Sequence, residues 1–158
     1  MPKQEIVLAI IRQESEFDLK ANSWAGARGM MQLMKYTAKI VAKQAKLPYN
    51  LSRLTTDPEY NIKLGSHYLA GLILEYDGSY PFAIAAYNAG PKRVRYWKKL
   101  NKDPQKKQIN YVDWIELIKF EETRNYVQRV LENYNVYRYI LEQKPIPLKD
   151  FFKDNPLF

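Results

Sequence analysis

The stretch Val7–Phe17, VLAIIRQESEF, sets the reading of the whole chain. Val7, Ile10, Ile11 and Glu14 fall at i, i+3, i+4 and i+7, so in a helix the Glu14 carboxylate continues an apolar stripe. Glu5 and Glu16 are expected on the opposite side. A carboxyl group set among Val and Ile side chains loses hydration in its charged form, which favours the proton and suits the group to general-acid chemistry. The same position also fits a helix-end glutamate that pairs with an arginine or caps a neighbouring helix.

A chain of 158 residues suits one domain with a single sizeable core. The 13 tyrosines suit walls that are apolar on one side and hydrogen-bonding on the other. A formal net charge of +8 favours polyanionic partners, whether nucleic acid, an anionic membrane or an acidic wall polymer. With no cysteine there is neither a disulfide framework nor a thiolate metal site. A single histidine, His67, argues against a His-rich metal centre and a Ser-His-Asp triad. No cofactor and no metal are expected. No run reaches the length of a membrane span, and Val7–Ile11 is too short and too closely flanked by charge for a signal peptide. Because Met1 opens almost directly onto the helix bearing Glu14, the chain is expected to be an excised domain of a longer exported protein.

The spacing predicts a first helix from Lys3 to Phe17 with Pro2 in its first turn, then an irregular loop over Asp18–Gly29. Met30–Met34 leads into a helix over Thr37–Lys46, with Ile40 and Val41 inward. Leu47–Asp57 reads as a connection. Asp57-Pro58 starts a long helix whose Ile62, Gly65, Leu69, Leu72, Ile73 and Tyr76 keep helical spacing until Asp77-Gly78. Gly65 implies close helix packing. Ser79 and Pro81 start a short apolar helix that ends at Asn88–Pro91. A basic helix, Lys92–Leu100, precedes Asn101–Asn110, expected to be a mobile surface loop, and Tyr111–Ile118 fits either a strand or a short helix. The last helix spans Glu121–Leu141 with Val127, Val130, Leu131, Tyr134, Tyr137 and Leu141 inward. No strand pattern emerges, so the fold class is all-α.

Four stretches then stand in order: IRQES (Ile11–Ser15), AGARGMMQLM (Ala25–Met34), AAYNAG (Ala85–Gly90) and FEETRNYVQRV (Phe120–Val130). Together they resemble the catalytic domain of the soluble-type lytic transglycosylases (SLT), bacterial cell-envelope enzymes with a goose-lysozyme-like fold. The resemblance covers Val7 to Leu141 and, in this combination, is specific. It implies a lysozyme-like helical domain over residues 1–145 with a glycan cleft, followed by a C-terminal tail at 146–158. It implies Glu14 as the catalytic acid, Ser23 near the substrate's N-acetyl group, and Gln32 and Met34 in the glycan groove. Tyr87 and Asn88 would line the cleft, with Glu122 and Tyr126 in a supporting ETRxY element. Trp24 and Lys35 stand where the family commonly has Pro, at the groove margin. The large N-terminal helical ring of the longest relatives is not expected within these 158 residues.

Each position has a plainer alternative. Gly26 and Gly29 would simply permit turns, Met30, Met31 and Met34 would be core, and Asn88 would cap its helix with Gly90 left-handed. Tyr126, beside the inward Val127, would be ordinary packing, and His67 structural or exposed.

The resemblance implies a lyase reaction on peptidoglycan that cleaves the β-1,4 bond between N-acetylmuramic acid and N-acetylglucosamine and leaves 1,6-anhydromuramoyl ends. No second carboxylate is well placed, since Glu16 leaves on the other face, Asp18 lies in the loop and Glu122 is a supporting residue. That agrees with attack by the sugar's own N-acetyl oxygen. The partners implied are peptidoglycan strands and an anionic cell envelope, not nucleic acid, and the protein is expected to be a periplasmic or envelope monomer. The rival readings are a goose-type lysozyme-like hydrolase, a non-catalytic glycan-binding domain, and a nucleic-acid binder suggested by Lys92, Arg93, Arg95, Lys98 and Lys99. Such a charge run more often forms a solvated face.

Overall fold

Apolar spacing in the first segment produces helix α1, Gln4–Ser15, which buries Ile6, Val7, Ala9, Ile10 and Ile11. A computed structural model describes residues 1–143; the tail expected at 146–158 lies outside the described residues. Pro2 precedes α1 instead of occupying its first turn, and the helix stops at Ser15 because Glu16 turns left-handed at φ 51°. Glu5, expected on the side opposite the stripe, is only 6% exposed, because the N-terminal half of α1 is enclosed nearly all round.

The chain divides into two units within one long helix. The first, Met1–Ala70, contains α1, a loop, α2 (Lys35–Gln44), the short α3 (Arg53–Thr56) and most of α4 (Pro58–Glu75). Its core gathers Leu33, Ala38, Val41, Leu54, Tyr60 and Leu64, with Leu47, Leu51 and Tyr68 against them. Val41 is buried as expected, but Ile40 is 40% exposed, since α2 buries Ala38, Val41 and Ala42 and turns its neighbour outward. The connection read over Leu47–Asp57 contains α3. Asp57 starts α4 as expected, its Oδ1 accepting from the Tyr60 N–H at 3.1 Å, while Oδ2 accepts from Arg53 at 2.8 Å. The Arg53 hydrogen bond, followed by that of Tyr60, holds the Asp57 carboxyl below the usual carboxylate range.

Gly65 is indeed a site of close approach, but the neighbour is a loop side chain: an added Cβ would lie 2.8 Å from the Met31 Cβ. Gly71, further along the same helix, has open space around it.

The second unit, from Gly71 onward, contains the end of α4, then α5 (Tyr80–Ala89), α6 (Pro91–Leu100), a single helical turn Pro104–Lys106, α7 (Tyr111–Glu116) and α8 (Glu121–Glu142). Helix α4 ends where Asp77-Gly78 predicted, with the Gly78 N–H donating back to the Ile73 carbonyl at 2.8 Å. Ser79 caps α5, whose Phe82, Ala83, Ile84, Ala85 and Ala86 are fully buried, and α5 packs on α6 and α8.

Two expectations fail in this unit. Asn101–Asn110 is tied down: Lys98 bridges Asp103 at 3.6 Å, and Gln105 donates to the Tyr76 carbonyl at 2.7 Å. Its polar residues partner one another and the end of α4. Leu141 is 46% exposed, near the far end of α8, beyond the buried run Val127–Tyr134. Tyr111–Ile118 resolves as helix because Asn110 accepts from the Asp113 N–H at 2.8 Å. The described residues contain no strands, only two isolated bridges, Asn22–Arg28 and Arg28–Leu33. No described helix is long and apolar enough to cross a membrane.

The two α4 glycines should respond with opposite signs. Gly71→Ala should stabilise by about 0.5–1 kcal/mol through helix propensity. Gly65→Ala should destabilise by about 1–3 kcal/mol, overpacking against Met31 outweighing the same propensity gain. Urea denaturation of the two variants checks both. The Asp57 contribution also has a defined pH sign. Its folded pKa is lowered, so it stabilises above the unfolded value near 3.8 and is lost as pH falls through the lower folded value. Asp57→Asn should flatten this part of the acid limb of thermal stability.

Candidate functional site

Glu14 occupies the last turn of α1 and is half-buried, where the apolar stripe meets the loop that follows. Its neighbour Ser15 donates to the Met30 carbonyl at 2.7 Å, so the helix end and the second half of the loop are joined directly. Immediately beyond, Glu16 and Phe17 both take positive φ, at 51° and 68°. Two consecutive non-glycine residues in this region are strained, and the turn they make ends α1 directly after the Glu14-Ser15 pair.

The loop is closed by its own backbone and by two of the expected site residues. Ser23 accepts from the Ala27 N–H through Oγ at 2.9 Å, while its own N–H donates to the Ala27 carbonyl at 2.9 Å. Gln32 donates through Nε2 to the carbonyls of Ala21, at 3.1 Å, and Gly29, at 2.9 Å. Both amide hydrogens of Gln32 are thereby used inside the loop, which fixes the side-chain amide and leaves Oε1 as its acceptor. Met34, just before α2, is 44% exposed, whereas Met31 is fully buried; the plainer reading as core therefore holds for Met31 and not for Met34. Trp24, in the tight turn between Ser23 and Gly26, is fully exposed, and Lys35 opens α2 on the surface.

Sequence reasoning missed the residue that holds this loop. Asn61, with no exposed surface, accepts from the Met31 N–H at 2.9 Å and donates to the carbonyls of Arg28, at 3.0 Å, and Leu54, at 2.9 Å. Gly29, at φ 78°, lies so close that any Cβ would collide with the Leu54 carbonyl and the Asn61 amide. The only advance signal was a polar residue beside the apolar positions of α4.

In the second unit, Tyr87 and Asn88 lie in the last turn of α5. Asn88 does not cap the helix, and Gly90 at φ 90°, ψ 149° is not left-handed helical, so that alternative fails. The Asn88 Oδ1 instead accepts from the Thr123 hydroxyl on α8 at 2.7 Å. Thr123 is buried, Tyr126 one turn later is buried, and Glu122, beside the exposed Glu121 in the first turn of α8, is exposed. Thr123 sits inside the ETR stretch but had not been singled out. The structure thus groups Glu14, Ser23, Gln32 and Met34 with the loop of the first unit, and Tyr87, Asn88 and Tyr126 with the α5–α8 contact of the second. His67 is half-buried in α4. Among the described residues no cluster of His, Cys, Asp or Glu could hold a metal ion.

Helices throughout the described residues, with a half-buried carboxylate at the end of the first beside a loop closed by its own hydrogen bonds, fit a lysozyme-like class of protein. The family model described as the Transglycosylase SLT domain matches residues 1–110, and the chain belongs to that family. Over 90% of its length it is 41% identical to the soluble lytic murein transglycosylase of Escherichia coli K12, and over 93% it is 39% identical to that of Salmonella typhimurium. The chain spans 22% of the length of each of these relatives. The crystal structure of the 70-kDa soluble lytic transglycosylase of E. coli superposes with a TM-score of 0.84 at 39% identity, covering 92% of this chain and 23% of that one. The inactive Glu-to-Gln variant of the Pseudomonas aeruginosa lytic transglycosylase Slt superposes at 0.83 with 36% identity, covering 97% of this chain and 24% of that one.

Removing the Asn61 side-chain amide should leave the Met31 N–H and the Leu54 carbonyl unpaired in a buried site, while the Arg28 carbonyl keeps the Leu33 N–H. Asn61→Ala is expected to cost about 2–4 kcal/mol in chemical denaturation, and to make the chain between Ala21 and Met34 the first site of limited proteolysis.

Proposed function

We propose that the domain is a peptidoglycan lytic transglycosylase in which Glu14 acts as both acid and base. The observation that carries the reading is the half-buried Glu14 at the end of an apolar helix, with Ser15 anchoring the loop that presents Ser23, Gln32 and Met34. Family membership and the names of the relatives support the substrate class.

In the first step, protonated Glu14 donates to the glycosidic oxygen between N-acetylmuramic acid and N-acetylglucosamine. The N-acetyl oxygen of the muramoyl sugar attacks C1 as the C1–O bond breaks, giving an oxazolinium-like intermediate. In the second step, ionised Glu14 takes the proton of the muramoyl C6 hydroxyl, whose oxygen closes onto C1 and expels the N-acetyl oxygen. The enzyme ends in its starting protonation state, and no water is consumed. An internal hydroxyl held near C1 competes well with water because its effective concentration is very high.

We assign glycan contacts to Ser23, Gln32, Met34, Tyr87 and Asn88, with Glu122 and Tyr126 as supports. The Ser23 hydroxyl, already accepting from Ala27, keeps its hydrogen to donate to an N-acetyl oxygen. The reaction needs no cofactor, and we place the protein as a monomer in the bacterial periplasm or envelope, where its substrate lies.

Digestion of purified sacculi followed by mass spectrometry of the products tests the reading. Wild-type protein should release muropeptides with anhydro ends, one water lighter than hydrolysed ends. Glu14→Gln should lower turnover by a factor on the order of 10²–10⁴ with an unchanged circular dichroism spectrum. Hydrated ends would make the protein a hydrolase instead, wild-type turnover in the variant would remove Glu14 from the mechanism, and sacculus binding without release would leave a glycan-binding domain.

A further inference from the structure

The charge of the second unit is concentrated in one segment. Residues 92–107 carry eight Lys and Arg against one carboxylate, Asp103, whereas the rest of the unit up to Gln143 carries four cations and eight carboxylates. Asp103 is 7% exposed and occupied by Lys98 and by the Gln105 N–H, and Glu75 is taken by Arg95 at 2.6 Å. Six remain, and four of them, Lys92, Arg93, Lys99 and Lys106, line two adjoining cavities of about 750 and 510 Å³ that share Lys92 and Tyr96. The smaller is walled by Trp97 and Phe120 and edged by Lys119. There the Arg93 guanidinium lies 4.3 Å over the Phe120 ring, which itself meets Trp97 at 5.4 Å, so a cation is held in place at an apolar wall.

The cations are interleaved with exposed apolar side chains. Tyr96 is 58%, Leu100 46%, Leu117 50% and Phe120 42% exposed. Tyr96 and Leu100 stand one turn apart on α6, Tyr96 and Phe120 line the same cavity, and Asn101 donates to the Leu117 carbonyl at 3.1 Å. Cations, Tyr96 and Phe120 therefore line the same cavities, with Leu100 one turn along α6 and Leu117 joined through its carbonyl to the residue after that helix.

We infer that this face is a peripheral docking surface for an anionic phospholipid bilayer. Its cations accept phosphate headgroups in the two cavities, and Tyr96, Leu100, Leu117 and Phe120 rest at the acyl boundary. Charge complementarity selects an anionic partner, and the aliphatic residues select the bilayer among anionic partners. A soluble phosphate polymer such as nucleic acid would use the cations and could stack on Tyr96 and Phe120, but it offers nothing to Leu100 and Leu117. The glycan-cleaving reading is not needed for this inference, because the test contains no glycan.

Co-sedimentation of the full chain with vesicles of phosphatidylcholine containing 30% phosphatidylglycerol, against pure phosphatidylcholine, measures it directly. Binding is expected only to the anionic vesicles. The triple change Lys92→Gln, Arg93→Gln, Lys119→Gln should weaken binding on the order of 100-fold, roughly fivefold per cation. Leu100→Ser with Leu117→Ser should spare binding at low salt and remove the part that survives 0.5 M salt. Both variants should keep the wild-type thermal midpoint within a few degrees. No binding to anionic vesicles, or binding that the leucine changes leave intact and a DNA duplex displaces, overturns the bilayer assignment.

Discussion

The buried amide of Asn61 is the constraint on which the first unit depends. It accepts from Met31 and donates to Arg28 and Leu54, so one side chain joins α4, α3 and the loop between α1 and α2. Such a group is stable in a dry interior only when each donor and acceptor is matched, and here each is. The requirement propagates. Gly29 must lack a Cβ to let the amide approach, and Met31, bonded through its N–H, drives its side chain onto α4 where Gly65 leaves room. Met30, bonded to Ser15, then connects the arrangement to the helix that carries Glu14. A change at Asn61 is thus transmitted to the loop and to the end of α1 through hydrogen bonds and packing, with no direct contact required.

Where structure follows from neighbours in sequence, the chain was legible. Asp57-Pro58, Ser79 with Pro81, Asp77-Gly78 and the Val127–Tyr134 run all form the elements their local chemistry predicts, because caps, turns and helical periodicity are settled within a few residues. The failures involve what lies outside the segment. Ile40 and Leu141 had the right spacing but are 40% and 46% exposed, with no burying surface for them among the described residues. Glu5 had the wrong polarity for the place it occupies. Asn101–Asn110 had the composition of a mobile loop, but Lys98, Gln105 and the Tyr76 carbonyl supply its partners. Polarity signals mobility only when the polar groups bond to water.

The candidate site divides in the same way. Its motif positions could be placed from the family resemblance, but the bonds that fix them are long in sequence. Thr123 reaches Asn88 across 35 positions, and Asn61 reaches Arg28 across 33. The backbone at Glu16 and Phe17 was invisible for another reason: neither residue type prefers positive φ, so no local preference announced it. A conformation that local propensity opposes must be held by its surroundings, and here the Ser15–Met30 bond and the Asp18 N–H donating to the Ser15 carbonyl do so.

That strain and that anchoring bear on how one carboxylate can serve two steps. A glutamate that first donates and then accepts a proton must meet two oxygen atoms, the leaving group and the attacking hydroxyl, without a large rearrangement between them. A frayed helix end would let the carboxylate wander among rotamers and would admit water to compete with the internal hydroxyl. An abrupt stop one residue after Glu14, joined to a loop whose serine and glutamine are bonded to backbone partners, fixes the backbone that carries the carboxylate. Gln32 illustrates the economy of the arrangement, since the bonds that build the loop are made by its donors and its acceptor is left over. The residues that shape the loop and those proposed to contact sugar are therefore largely the same. On the proposed assignment, substitutions at Ser23 or Gln32 are expected to affect stability and turnover together, whereas a change confined to the Glu14 carboxyl separates them.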